Sequence, residues 1–263
     1  TGGYSAEYGQ ALSSVLLLNS VDEPTEEKTD ISFMTVGLGV GNTQIWERNS
    51  LSVNASYINL APYQAAFPDR NIWHKPVQAL GGEMVYRYKL KSDGMIKLYG
   101  AFSYSDLDLT QEDINAPNGF RFGLENRNLY INASYKEFLG NNWNILSGVS
   151  FANDQSNIEI EKDDVWNSTN FNEDYNGVVN GNFKSGFDNN LFGTYAETDI
   201  FFSKNLASKI GIRAEYSELL KEFTISPRVS LAYKTGEKSQ VALAYGEFYQ
   251  NPKKHQKYLC NLS

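Results

Sequence analysis

Side chains that could support chemistry are few in this sequence, and the densest group is acidic. Glu159, Glu161, Asp163 and Asp164 follow one another closely and offer carboxylate oxygens, which are the ligands that Ca²⁺ prefers. Their spacing does not match an EF-hand loop. A solvated loop explains this run better than a cation site.

Other signs of catalysis or metal binding are absent from the sequence. His74 and His255 are too far apart to give a metal-ligand spacing, and the single Cys260 cannot form an intrachain disulfide. The glycines of residues 37–41 lack the spacing of a dinucleotide-binding loop, and no helical pattern follows them. His-Glu-x-x-His, Gly-x-Ser-x-Gly and phosphate-binding Gly-x-x-x-x-Gly-Lys motifs do not occur. We therefore expect neither an enzyme nor a bound metal or cofactor.

Aromatic side chains in the predicted long connectors are the best candidates for direct ligand contact. Such rings can stack on a sugar or on a flat chelate, although packing within the loops explains them equally well. These candidates are Trp73, His74, Trp166, Phe171 and Tyr175.

Composition limits the class of protein that positions these residues. The 263 residues include 31 acidic and 23 basic side chains, a net charge of -8 that argues against nucleic acid as a partner. Aromatic residues make up 14% of the chain, which favours a folded protein. The best apolar run, Val15 to Leu18, stops at Asn19 and is far shorter than the roughly 18 residues of a membrane-spanning helix.

Alternation with a period of two residues is the dominant pattern, over segments of about ten residues. Ile96, Leu98 and Phe102 would share one face of a strand, while Lys97 and Ser103 would share the other. The apolar face often carries an aromatic residue at a segment end, as in the interfacial girdle of a transmembrane β-barrel. These girdle candidates are Tyr104, Tyr135, Trp143, Tyr216, Tyr233 and Tyr245. A soluble β-sandwich also alternates but does not require such long strands with terminal aromatics.

Connector lengths support a barrel because short turns alternate with longer polar segments, as they do in outer-membrane barrels. The alternation fails near the start. If the first strand runs outward from the periplasm, a turn at residues 41–43 would be extracellular and the next long connector would be periplasmic, the reverse of the expected arrangement. Either an extra strand precedes Asp30 or an early connector is not a loop. Pro227 also falls inside a predicted strand. Turns are predicted near residues 91–94, 140–142, 203–205 and 235–237, and longer connectors at about residues 61–78, 106–125, 153–186 and 217–222.

Residues Gly2 to Asn19 carry a resemblance to a known family. They resemble the closing motif of the plug domain in TonB-dependent outer-membrane receptors, in which glycine-rich and small-residue turns lead into a short apolar strand. Residues 226–233 and 244–249 also resemble barrel segments of these receptors, particularly those of Bacteroidota. The residues that match the plug-end motif are Gly2, Gly3, Ala6, Glu7, Tyr8, Gly9, Ala11 and Leu12.

The resemblance implies an all-β fold: a partial transmembrane antiparallel β-barrel of about ten strands, preceded by the last segment of a plug domain. Residues 1–20 would end the plug, residues 27–250 would form the first part of the barrel, and residues 251–263 would be an atypical tail. Barrels of this family have about 22 strands. We therefore expect this chain to be a fragment that would not transport a solute by itself.

The resemblance also implies a function in the outer membrane. Such receptors take up a large, scarce solute, such as a siderophore, cobalamin, a glycan or a peptide. The expected partners are outer-membrane lipid, a small or medium-sized solute and the TonB energy-coupling complex, reached through an N-terminal part outside this sequence. The alternative hypothesis is a soluble or surface-attached, β-rich carbohydrate-binding module.

Overall fold

Eleven strands form a single antiparallel sheet in which every strand pairs with its sequence neighbours. The computed structural model describes residues 5–10, 23–92, 94–113, 116–140, 142–162, 183–237 and 239–251, with only the backbone for residues 112–113, 116–119, 162 and 183. The prediction of an all-β, antiparallel fold is confirmed. The strands are β1 (Lys28–Met34), β2 (Gly37–Ile45), β3 (Asn49–Asn59), β4 (Asn71–Lys89), β5 (Met95–Asp113), β6 (Ala116–Leu139), β7 (Trp143–Lys162), β8 (Phe183–Phe201), β9 (Leu206–Ser217), β10 (Glu222–Lys234) and β11 (Gln240–Gly246).

Helical structure is almost absent from the described part of the chain. The helix α1 (Ala61–Ala66) lies between β3 and β4 and begins with a proline in its first turn. Within the described ranges, no helix has the length and apolar character needed to cross a membrane.

The alternating pattern gives the sheet two chemically different faces. We call the face on which residues 5–10 lie the inner face, and the opposite one the outer face. In β9, Ile210 and Ile212 are exposed on the outer face, while Arg213 and Glu215 are buried on the inner face. In β5, Leu98 and Phe102 share the outer face and Lys97 and Ser103 share the inner face, as the alternation predicted. Exposed apolar side chains on the outer face extend across the sheet and include Ile31, Val53, Leu98, Phe102, Ile131, Val149, Phe192, Ile225, Leu231 and Leu243.

On the outer face, the apolar stretch of each long strand is limited in length. In β8 this stretch runs from Phe192 to Ile200, its outward positions are uncharged and include Thr194 and Thr198, and it ends where Asn190 takes the next outward position. That is about the nine to eleven residues of a membrane-crossing strand. In β6 the exposed Arg127 takes the corresponding position, and its guanidinium lies 5.6 Å from the ring centroid of Tyr104. The other girdle candidates, Tyr135, Trp143, Tyr216, Tyr233 and Tyr245, are all exposed on the outer face.

The first strands explain the parity problem in the sequence. The predicted turn at residues 41–43 was wrong, because those residues lie within β2 and pair with both β1 and β3. β1 contains Asp30 and does not precede it, so of the two alternatives the structure supports the early connector that is not a loop. The connections on either side of β2 are residues 35–36 and 46–48. With β1 included, the predicted short turns near residues 91–94, 140–142, 203–205 and 235–237 all lie at one end of the sheet, which we call the short-turn end.

Two of the predicted long connectors are largely strands. β5 continues to Asp113 and β6 begins at Ala116, so the predicted connector at residues 106–125 was wrong. β7 and β8 likewise occupy both ends of the predicted connector at residues 153–186, whose middle, residues 163–182, lies outside the described residues. The connector at residues 61–78 contains α1 and the start of β4, with a register shift between Lys75 and Gln78 around Pro76. The connector at residues 217–222 is confirmed as the turn between β9 and β10.

These connectors were misassigned because the polarity of the two faces inverts beyond the apolar stretch. We call residues 106–113, 116–125, 154–162 and 183–188 the strand extensions. Many of their inner positions are apolar, which is the reverse of the adjoining part of the sheet, and the polar exceptions include Asp154, Ser156 and Ser185. The apolar ones include Leu107, Leu109, Phe122, Leu124, Ile158, Ile160 and Phe187. Their outer positions carry ion pairs: Lys75 with Asp106 at 3.0 Å, Arg121 with Asp108 at 2.7 Å and with Glu161 at 3.2 Å, and Lys184 with Glu159.

Pro227 lies within β10, opposite Ile212 of β9. Its carbonyl accepts a hydrogen bond of 3.0 Å from the backbone N–H of Glu247, so its nitrogen also faces the β11 side. Since β11 ends at Gly246, which pairs with Arg228, the N–H group that proline lacks would point past the end of β11. The proline is therefore compatible with its strand.

Acid should weaken the strand extensions through Asp108. Hydrogen bonding from Arg121 holds the pKa of Asp108 below its ordinary value of 3.8. The pair therefore stabilises the folded state above that value and loses its effect as the pH falls through the lowered pKa. We expect Arg121→Gln to lower the urea midpoint at about pH 6, and this deficit to shrink as the pH falls below the ordinary value of 3.8 for an aspartate. A deficit that persists undiminished at acidic pH would contradict this, and Lys28→Gln, in the exposed pair with Asp30, is the control.

Candidate functional site on the inner face

The N-terminal segment, residues 5–10, is held against the inner face through its backbone. The Ala6 N–H donates to Glu197 Oε2 at 2.7 Å, and Ala6 itself is fully buried. Arg213 Nη1 donates to the carbonyls of Ala6 and Glu7 at 3.3 and 2.9 Å, and Arg228 donates to the carbonyl of Ser5. These bonds come from β8, β9 and β10, so neighbouring strands jointly fix the segment.

Arg213 is the centre of this arrangement. Its Nε donates to Glu215 Oε1 at 2.9 Å and its Nη2 donates to Ser150 Oγ at 3.0 Å. The exposed fractions of the Arg213 and Glu215 side chains are only 4% and 3%. A charge so deeply buried requires a partner and satisfied hydrogen bonds, and the segment's carbonyls complete that set.

Side chains of the segment extend the contacts to more of the sheet. Glu7 Oε1 accepts a hydrogen bond from Asn132 Nδ2 at 3.1 Å, and Asn132 Oδ1 accepts one from the Tyr195 hydroxyl at 3.0 Å. Gln10 Nε2 donates to Glu215 Oε2 at 3.1 Å, and Gln10 Oε1 accepts from the Asn251 N–H at 2.8 Å. The segment thus contacts β6, β9 and the residues that follow β11.

Glycine at position 148 makes room for this network. Gly148 in β7 lies opposite Tyr195 in β8. A β-carbon at position 148 would lie 2.6 Å from the backbone carbonyl oxygen of Ala133 and would also meet the Tyr195 hydroxyl. The missing side chain therefore lets the tyrosine lie across the sheet and reach Asn132.

Glu7 and Tyr8 separate two cavities. The upper cavity, of about 600 Å³, is bounded by Gln10, Tyr130 and Asp154 and lies towards the strand extensions. The lower cavity, of about 470 Å³, lies towards the short-turn end and contains three lysines and three acidic residues besides Glu7. Both cavities are lined by Glu7 and Tyr8. Displacement of the segment would therefore connect them. The charged lining of the lower cavity comprises Glu7, Glu23, Lys97, Lys136, Glu197, Asp199 and Lys209.

The plug-end motif predicted from the sequence is partly visible in this site. Ala6 and Glu7 make the contacts given above, and Tyr8 and Gly9 line the upper cavity. Gly2, Gly3, Ala11 and Leu12 lie outside the described residues. The role assigned to the motif remains a prediction.

The aromatic ligand-contact candidates are not brought together in the described part of the chain. Trp73 and His74 lie in β4, so their placement in a connector was wrong. The Trp73 Nε1–H donates to Asp69 Oδ1 at 3.1 Å, and His74 Nε2 lies 2.9 Å from Thr110 Oγ1. Neither residue lines the upper or the lower cavity. Trp166, Phe171 and Tyr175 lie outside the described residues.

The acidic run does not form a cation site in the part that the structure describes. Glu159 pairs with Lys184, and Glu161 pairs with Arg121, while Asp163 and Asp164 lie outside the described residues. Over the described ranges, no three His, Cys, Asp or Glu side chains group as metal ligands do.

Sequence reasoning missed the residues that hold the segment. They are Asn132, Ser150, Tyr195, Glu197, Arg213, Glu215 and Arg228, which are all inner-face residues of β6 to β10. An arginine and a glutamate two residues apart, on the polar side of one strand, are a pattern that could have indicated a buried pair at positions 213 and 215.

Removal of the Arg213 guanidinium should release the N-terminal segment. Arg213→Ala leaves the buried Glu215 without its cation and removes the donors to the carbonyls of Ala6 and Glu7. We expect it to lower the free energy of unfolding by about 3–5 kcal/mol. Amide hydrogen exchange should rise in residues 5–10. Arg127→Ala, on the exposed outer face, should leave the exchange unchanged. Equal protection of the segment in both variants would refute this role for Arg213.

A methyl group at position 148 should disturb the same network. Gly148→Ala is expected to destabilise the protein by about 1–3 kcal/mol, since the backbone of β6 cannot easily retreat from the new β-carbon. Gly100→Ala is the matched control, because nothing lies within 4 Å of a β-carbon there. Urea unfolding in detergent micelles, followed by circular dichroism, measures both effects. A similar midpoint for the two variants would show that the close contact at Gly148 does not matter.

Comparisons of the whole chain with known proteins place its fold. No protein-family model and no curated protein matches the sequence. The structure is similar to the outer membrane transporter YddB from Escherichia coli, with a TM-score of 0.55 and 11% identity over 82% of this chain and 32% of that one. It is also similar to the unliganded ferric citrate transporter FecA, with a TM-score of 0.53 and 10% identity over 80% of this chain and 35% of that one.

The chain spans about a third of the length of these two transporters. At this level of identity the similarity concerns the fold, in which neighbouring antiparallel strands form a wall with an apolar outer face. The chain therefore has the all-β fold found in the strand wall of outer-membrane transporters.

Proposed function

We propose that this chain is part of a TonB-dependent outer-membrane receptor of the Bacteroidota type, which takes up a large, scarce solute. One observation carries the proposal: residues 5–10, which include Ala6, Glu7, Tyr8 and Gly9 of the plug-end motif, are held by buried hydrogen bonds between two cavities on the inner face. In this proposal residues 1–20 end the plug, residues 27–250 form the first part of the barrel, and residues 251–263 form a tail.

Uptake would follow from the position of the segment. A solute from outside would enter the upper cavity, whose strand extensions lie at the end of the sheet opposite the short turns. Withdrawal of Glu7 and Tyr8 would then join the upper and lower cavities along the inner face of β5 to β9. The TonB complex would supply the force through a preceding N-terminal part.

The outer face would contact outer-membrane lipid. The exposed fractions of Ile212, Val229 and Leu231 on this face are 42–49%. A protein in water rarely exposes so many apolar side chains on one face. This observation favours a membrane setting over a soluble carbohydrate-binding module.

Two neighbouring substitutions in β10 test the membrane setting. Val229 lies on the outer face near the middle of its apolar stretch, and Ser230 lies on the inner face. In lipid vesicles we expect Val229→Arg to lower the free energy of unfolding by about 2–4 kcal/mol, because an arginine at the bilayer midplane is costly, and Ser230→Arg to lower it less. The folded fraction is followed on gels by its heat-modifiable migration, and the urea concentration at which half of the protein is unfolded measures the effect. A soluble module would tolerate Val229→Arg within about 0.5 kcal/mol and would not partition with the outer membrane.

A further inference from the structure

We propose that the upper cavity binds a cationic, amine-bearing solute, which it recognises through Asp154 and the ring of Tyr130. The inference rests on the proposed function and names its class of solute. The described charged residues on the cavity lining are Glu7, Asp154, Glu215 and Arg213, so acids outnumber bases by two.

Arg213 cannot offset this charge for an incoming anion. Its Nε, Nη1 and Nη2 groups already donate to Glu215, to the carbonyls of Ala6 and Glu7, and to Ser150. Redirecting any of these donors towards a ligand would break a buried hydrogen bond and would loosen the segment. The positive charge in the cavity wall is therefore committed to the protein itself.

Asp154 is the acid that is free to receive a ligand. It lies on the inner face of β7, between Asn128 of β6 and Asn189 of β8. Its side chain is half-buried, and within the described part of the chain no hydrogen bond or ion pair involves it. The other two acids are occupied, Glu7 by Asn132 and Glu215 by Arg213 and Gln10. A half-buried carboxylate gains from a cation that replaces the water around it.

The surroundings of Asp154 suit an amine better than a metal ion. Tyr130 lines the same cavity and so presents an aromatic ring to it for a cation–π contact, while its ring also packs against that of Tyr99, with the centroids 5.9 Å apart. Ser103 and Asn128 add neutral hydrogen-bonding groups. One free carboxylate among neutral groups is too few ligands for a divalent cation but is sufficient for an ammonium group.

Matched peptides of opposite charge test the proposal. Binding of tri-lysine and of tri-glutamate to the full-length protein is measured by calorimetry in micelles of an uncharged detergent, so that lipid charge does not contribute. We expect tri-lysine to bind more tightly, and Asp154→Asn to weaken its binding by about tenfold, as loss of a charged hydrogen bond does. Added salt should reduce the preference.

Asp188→Asn is the matched control, because it removes the same charge from the outer face of the adjacent strand. It should leave tri-lysine binding unchanged. Tighter binding of tri-glutamate, equal loss in both variants, or no binding of either peptide by a membrane-inserted protein would overturn the ligand class while the proposed function stands. Failure of the protein to insert into the outer membrane would overturn both.

Discussion

A guanidinium group buried within a sheet face must find an acceptor for each N–H group, and much of the inner face follows from that requirement at Arg213. Glu215 supplies the opposite charge, Ser150 supplies a hydroxyl, and the carbonyls of Ala6 and Glu7 supply the remaining acceptors. Because two of these acceptors belong to the N-terminal segment, the segment and the strand wall satisfy each other's polar groups.

The same strands meet a different requirement on their other face. A period of two residues places an apolar side chain outside for each polar one inside, so β9 carries Ile210 and Ile212 opposite its buried arginine and glutamate. A glycine contributes to the hydrogen bonds of the inner face. Gly148 lets Tyr195 lie flat enough to reach Asn132, which in turn holds Glu7. One pattern thus produces both a polar binding surface and an apolar exterior.

Alternation predicted the sheet well because the side-chain period of a strand is a local property. It identified the two faces of β5 and most of the short turns, but it failed where the faces exchange polarity. Leu107 and Leu109 alternate with Asp106 and Asp108, and this segment was predicted as a polar connector although β5 continues through it. The hydrogen bonds that hold residues 5–10 were not predictable in the same way. Ala6 and Glu197 meet across 191 residues, and the motif that contains Ala6 does not indicate which strand residues it contacts.

The exchange of polarity in the strand extensions has a consequence for depth. In the proposed membrane setting, the outward ion pairs of Lys75, Asp108 and Arg121 begin just where the apolar stretch ends. Sliding the strands by two residues, about 7 Å, would draw charged groups into hydrocarbon and lift apolar ones into water. In that setting, the change from apolar to charged outward residues fixes the depth of the sheet in the bilayer, and with it the depth at which residues 5–10 lie.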